Sequence, residues 1–161
     1  MFCRPLPAPL VAFAAPQPAA VWLVVFLDPP PVPQDAPLPN RLLGACLKAL
    51  RPGFRHVLAL SPAVRTGAPG REWLIFNPGA RMLAVGLAPP HETLGTLRRL
   101  IAQGRARCRV VIAREPATVR PRGLFTCVQA VAHLTGTGCH PFTTPHGLWR
   151  RMGAMRPGDV T

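Results

Sequence analysis

The distribution of proline constrains this chain more than any other sequence feature. Half of the 22 prolines lie in residues 1–40, and each proline fixes φ and removes a backbone N–H donor. Regular helices and strands are therefore expected after that segment. The sequence predicts a proline-rich, loosely ordered segment over residues 1–40, an ordered domain over 41–155 and a flexible tail over 156–161. With 161 residues, the chain is long enough for one domain with a substantial core.

The apolar stretch within the first 40 residues is too short to span a membrane. Pro16 and Pro18 interrupt it, and the uninterrupted run Ala19–Leu27 is far below the roughly 20 residues that a spanning helix needs. Arg4 alone would form the charged region of a signal peptide, and no convincing cleavage site follows it. We therefore predict no transmembrane segment and interpret residues 1–40 as a tail or as the product of a mis-set start codon.

The chain is strongly basic, with a net charge of +13. Its arginines are scattered, and it is rich in the residues that GC-rich codons favour, so coding bias explains the charge better than a dedicated phosphate-binding face. We expect only weak, salt-sensitive and sequence-independent binding of nucleic acid. Five cysteines without paired spacing favour reduced thiols, as in a cytoplasmic protein.

The residues after position 40 predict an alternation of short helices and strands. Asn40 is a candidate N-cap for a first helix, and Cys46 lies on that helix's apolar stripe, which predicts a core position for it. Strands are predicted over 54–60, 72–79, 81–88 and 106–113, with helices over 91–104, from Cys127 onward, and from Pro145 with Thr144 as N-cap. The expected fold is α+β, a small and mostly antiparallel sheet packed on the helix that carries Cys127.

Cys127 is the first candidate for chemistry. It follows Thr126, a plausible N-cap, and so falls in the first turn of the predicted helix. The unpaired N–H groups and the positive dipole end of a helix N-terminus favour a thiolate, and the N–H of Cys127 could serve as an oxyanion donor. A nucleophilic cysteine would also need a base.

His56 and Asn77 are the candidates that complete such a site. His56 interrupts an apolar strand face, and Asn77 is the single polar residue on the face of the next strand that also carries Trp73 and Ile75. The intervening loop, 61–71, is centred near residue 66, so a hairpin would bring positions 56 and 77 together. An imidazole–amide pair of this kind would orient the base. Taken alone, each residue also fits a structural role, since Asn-Pro-Gly is an ordinary turn that ends a strand.

Four short motifs, FRHVLAL, EWLIFNP, LFTCVQAVAHLTG and TPHGLWRRM, resemble those of small phage and prophage proteins of the circularly permuted papain-like branch, related to the NlpC/P60 superfamily. The resemblance covers about residues 50–152. It implies a thiol hydrolase or acyltransferase that acts on an amide or ester through a thioester, with Cys127 as nucleophile, His56 as base and Asn77 as orienting residue. It implies no cofactor. The Asp-Cys-Ser-Gly signature of cell-wall peptidases is replaced here by Thr126-Cys127-Val128-Gln129.

Three other interpretations stay open at this stage. A zinc site could draw on Cys127, His133, Cys139, His140 and His146, although no C-x-x-C occurs among them. A nucleic-acid-binding module is supported by charge alone. The third alternative is a phage accessory or virion protein whose Cys–His site is inactive.

Overall fold

The structure, a computed structural model, describes residues 21–63, 72–79, 83–113, 126–138, 140 and 142–154. Within these residues five strands form one antiparallel sheet with the order β4-β3-β2-β1-β5. The strands are β1 (Val21–Leu27), β2 (His56–Ala63), β3 (Glu72–Pro78), β4 (Leu83–Ala88) and β5 (Ala106–Ile112), and the helices are α1 (Leu38–Lys48), α2 (Pro90–Ala102), α3 (Cys127–Leu134) and α4 (Pro145–Ala154). The predicted α+β class is confirmed.

Strand β1 corrects the prediction that residues 1–40 are loosely attached. It pairs with β2 on one side and β5 on the other, and Leu23, Val24, Val25 and Phe26 are all fully buried. The sequence VWLVVFL lies between Pro18 and Pro29, with no proline inside it. An apolar run without alternation is typical of a strand that is covered on both faces, and the surrounding prolines obscured that pattern. Residues 1–20 and the predicted tail 156–161 lie outside the described residues.

The sheet carries a hydrophobic core on each face. On one face α3 and α4 cover a cluster that includes Phe26, Val57, Val131 and Leu148. On the other face α2 contributes Leu97 to a cluster with Leu23, Val25, Leu60 and Trp73. Since side chains alternate along a strand, each residue of β1 and β2 belongs to one face or the other.

Helix α1 differs from the other helices because it buries none of its residues. It begins at Leu38 after Pro37, rather than after Asn40, and Leu42 and Leu43 are exposed. The prediction that Cys46 is a core residue is wrong, since Cys46 is exposed. Leu38, Leu42 and Leu47 of α1 line a groove of about 660 Å³ between the helix and the Pro29–Pro33 segment.

Candidate functional site

Cys127 is the first residue of α3, as predicted, and the start of this helix is held by a capping box. Thr126 is the N-cap, and its Oγ1 accepts a hydrogen bond from the Gln129 backbone N–H at 3.3 Å. In return, Oε1 of Gln129 accepts one from the Thr126 N–H, also at 3.3 Å. The Thr-x-x-Gln spacing that produces this box was present in the sequence. The box fixes the direction of the backbone N–H groups of the first turn.

The Cys127 sulfur lies against three backbone N–H groups, those of Val57, Val128 and Cys127 itself. These contacts lower the pKa of the thiol, but burial is the larger effect and raises it above its usual value. The sequence expectation of a thiolate favoured by the helix terminus is therefore reversed in the resting protein. A partly buried, neutral thiol with prealigned donors is the ground state.

The Val57 N–H places the sulfur beside the start of β2, one residue from His56. Cys127 packs against the cluster that contains Val57, so the sulfur approaches this N–H from the α3 face of the sheet. The ladder between β2 and β3 runs from the Ala59–Phe76 pair to the Ala63–Glu72 pair, and Val57 lies beyond its end. The sulfur thus occupies the open end of the β2–β3 hairpin. Sequence reasoning did not identify Val57, because nothing in the sequence marks a backbone donor.

His56 and Asn77 meet at the same open end, as the hairpin argument predicted. His56 is the first residue of β2, and its Nε2 lies 2.7 Å from Oδ1 of Asn77. Since the amide oxygen can only accept, the imidazole Nε2–H donates, and Nδ1 is left as the basic nitrogen of the neutral ring. Burial lowers the pKa of His56, and the hydrogen bond to Asn77 opposes this by raising it. His56 is therefore a neutral base at neutral pH.

The structure brings two of the three predicted site residues, His56 and Asn77, into direct contact, and leaves Cys127 without a bond to either. His56 and Asn77 are hydrogen-bonded directly. The Cys127 sulfur instead lies against the backbone N–H of Val57, the residue that follows His56. Among the hydrogen bonds of the described residues, none joins the sulfur to the imidazole. Alternation along β2 explains this, because Val57 faces α3 while His56, like Leu58, starts from the opposite face.

The other cysteines and histidines of the described chain are placed differently. Cys108 lies on the α2 face, where burial raises the pKa of its thiol to about 12. His133 is exposed on the same helix as Cys127. Within the described residues, no group of three or more His, Cys, Asp and Glu side chains could hold a metal ion. Cys139, one of the residues weighed for a zinc site, lies outside them.

Comparison with known proteins identifies no relative of this chain, so the assignment of the site depends on its geometry. No protein-family model matches the chain, and searches of curated proteins and of solved structures give no match. In the part of the chain that the structure describes, no helix combines the length and apolar character needed to cross a membrane.

Proposed function

We propose that this protein is a thiol hydrolase or acyltransferase of permuted papain-like type, in which Cys127 is the nucleophile, His56 the general base and Asn77 the residue that orients the base. One observation carries the proposal. The sulfur lies against the N–H of the His56–Val57 peptide while His56 is bonded to Asn77, so the thiol and the imidazole–amide pair lie near the same end of one hairpin, on opposite faces of β2. The substrate class is an amide or an ester. The phage or prophage association rests on the sequence motifs.

The first half of the reaction forms a thioester. The sulfur attacks the substrate carbonyl carbon while its proton passes to Nδ1 of His56. Asn77 accepts from Nε2–H throughout and so stabilises the imidazolium that forms. The carbonyl oxygen becomes an oxyanion, and the N–H groups of Cys127 and Val128 at the start of α3 are the donors suited to it. The C–N or C–O bond then breaks, and the imidazolium returns its proton to the leaving amine or alcohol.

The second half releases the acyl group. Nδ1 of His56 removes a proton from a water molecule or from an acceptor nucleophile, which attacks the thioester carbonyl. The C–S bond breaks, and the proton on the imidazolium passes to the sulfur to restore the thiol. Because burial lowers the pKa of His56 and raises that of Cys127, the resting pair is neutral, and His56 works as a general base during the attack.

In the free protein the Cys127 sulfur and the His56 imidazole are not hydrogen-bonded, so the reaction requires a movement that substrate binding would induce. The sulfur and the imidazole start from opposite sides of the strand backbone, and both lie at its end, where β2 is no longer paired with β3. Attack on a substrate requires a movement that brings Nδ1 towards the sulfur while Nε2–H stays bonded to Asn77. Catalytic hydrogen bonds that are long in a free enzyme commonly tighten when substrate binds.

Alkylation kinetics test the assignment without a known substrate. The intact protein is treated with iodoacetamide between pH 5 and 10, and peptide mapping follows each cysteine separately. In the wild type, Cys127 should remain reactive to below pH 6.5, because its reactivity depends on neutral His56. In His56→Gln, the rate at Cys127 should fall at least tenfold at pH 7.5, given that general bases contribute about 10²–10⁴. Reactivity should then rise only above pH 9, with the thiol's own pKa.

The matched control is His133→Gln, which makes the same substitution at an exposed position of α3. Its Cys127 profile should equal that of the wild type, and the rate at exposed Cys46 should be unchanged in every variant. Circular dichroism verifies that each variant is folded. Identical Cys127 profiles in wild type and a folded His56→Gln protein would refute the proposal.

A further inference from the structure

A row of arginines lies on the same sheet face as α3 and α4, on the side of edge strand β5. Arg107 and Arg109 are two residues apart on β5, opposite Phe26 and Val24, and both project towards α4. The guanidinium of Arg107 lies 5.2 Å from the centre of the Phe54 ring, and that of Arg51 lies 5.9 Å from it. We call Arg51, Arg107, Arg109 and Arg150 the arginine row.

The Arg109 side chain packs against two residues of α4, Trp149 and Gly153. Its guanidinium stacks over the Trp149 ring, 3.9 Å from the ring centre, and also lies close to Gly153, one helical turn further along α4. A Cβ at position 153 would fall 2.5 Å from the Arg109 Nη atoms, so a larger residue there would displace the guanidinium from its present position. The Arg109 Nε is buried and has no hydrogen-bond partner. Such a stacked, desolvated guanidinium is already oriented for a ligand.

The positive charge of the row is not neutralised by the described residues. Within them, no member of the row forms an ion pair, whereas Asp28 lies 3.8 Å from Arg55. His146, at the start of α4, accepts a hydrogen bond from Arg51 Nη1 at 2.8 Å, so its Nε2 is unprotonated. Partial desolvation and the neighbouring charges of Arg51, Arg150 and Arg107 lower the pKa of His146. Repulsion of this kind indicates an uncompensated positive field.

We propose that the arginine row binds the phosphate groups of a nucleic-acid backbone. Arginine presents a planar fork that binds phosphate through two parallel hydrogen bonds, and stacking on an aromatic ring leaves that fork available. The Phe54 ring beneath Arg51 and Arg107 is 2 % exposed, so it is not free to insert into a lipid surface. The proposal concerns four of the chain's 19 Lys and Arg residues and is independent of the thiol chemistry.

The salt dependence of oligo-dT binding measures the number of phosphate contacts that the protein makes. Anisotropy of a labelled single-stranded oligo-dT is recorded with the full chain between 50 and 200 mM NaCl. Each phosphate contact to a single strand adds about 0.7 to the slope of log K against log salt, so four arginines give a slope of about −2.8. The double variant Arg107→Ala/Arg109→Ala loses two of these contacts, so its slope of log K against log salt should change from about −2.8 to about −1.4.

Two variants separate a built surface from net charge alone. Arg98→Ala removes the same kind of charge from an exposed position of α2, on the opposite face of the sheet, and should leave affinity and slope unchanged. Gly153→Ala keeps the net charge but displaces the flexible end of Arg109, and should weaken binding severalfold. Cys127→Ser should bind as the wild type does.

Three results would overturn the proposal. The first is an equal loss of affinity per arginine removed in Arg98→Ala and in Arg107→Ala/Arg109→Ala, which would make net charge sufficient. The second is an affinity equal to that of the wild type in both the Gly153→Ala variant and the Arg107→Ala/Arg109→Ala variant. The third is tighter binding to anionic phospholipid vesicles or to polyglutamate than to oligo-dT at equal charge, which would assign the row to a membrane or to an acidic protein.

Discussion

Phe26→Ala tests the placement of β1 as an interior strand of the sheet. Phe26 is 0 % exposed, and its ring lies 5.8 Å from that of Phe54 and 5.3 Å from that of Trp149. Removing a buried phenylalanine side chain costs about 3–5 kcal/mol, through lost transfer free energy and the cavity left behind. Ring–ring contacts contribute about 0.5–1.5 kcal/mol each beyond burial. We therefore expect the free energy of unfolding to fall by about 4 kcal/mol, a large part of the stability of a typical domain.

Urea unfolding followed by tryptophan fluorescence measures this loss, because Trp149 contacts the mutated site. With an m-value of about 2 kcal/mol per molar urea, the midpoint should fall by about 2 M. Phe26→Leu, which keeps most of the volume, should cost about 1.5 kcal/mol. Val85→Ala on edge strand β4, where Val85 is 57 % exposed, should change stability by less than about 0.5 kcal/mol. Equal midpoints for Phe26→Ala and Val85→Ala would show that residues 21–27 are not core.

Three further predictions concern the site and its surroundings. Because the pKa of His56 is lowered, the unfolded chain takes up a proton below pH 6.5 that the folded chain does not. Thermal stability should therefore fall with pH below 6.5, and the fall should be smaller in His56→Gln, as calorimetry would measure. Thr126→Ala removes the N-cap and should cost about 1 kcal/mol in chemical denaturation while slowing alkylation of Cys127. Cys108, with a pKa of about 12, should resist iodoacetamide in the native state up to pH 10 and react once urea unfolds the chain.

The parts of the site that sequence reasoning predicted are those fixed by local rules. The pairing of His56 with Asn77 follows from the midpoint of one loop and from the alternation of two strands, so it could be worked out by counting. The cap at Thr126 follows from residue chemistry alone. The approach of the sulfur to the Val57 N–H could not be predicted, because it depends on how α3 packs against β2.

The failures have equally specific causes. Strand β1 was missed because strand prediction relies on alternation, which a strand buried on both faces lacks. Cys46 was assigned to the core because the leucines of α1 have helical spacing, yet no described element covers that stripe. The pKa of Cys127 was expected to fall because the helix terminus was considered without burial, and burial is the larger effect.

The interior position of β1, between β2 and β5, has a consequence for synthesis on the ribosome. This strand emerges first among the described elements, but one of its partners, β2, follows a helix later and the other, β5, lies far towards the C-terminus. At about 5–20 residues per second, its second edge stays unpaired for roughly 4–17 s after the strand is made. An apolar strand with open edges is an aggregation hazard, and flanking residues that resist strand pairing reduce it. The prolines at positions 16, 18 and 29–31 would then act as gatekeepers that protect the nascent chain until its C-terminal half arrives.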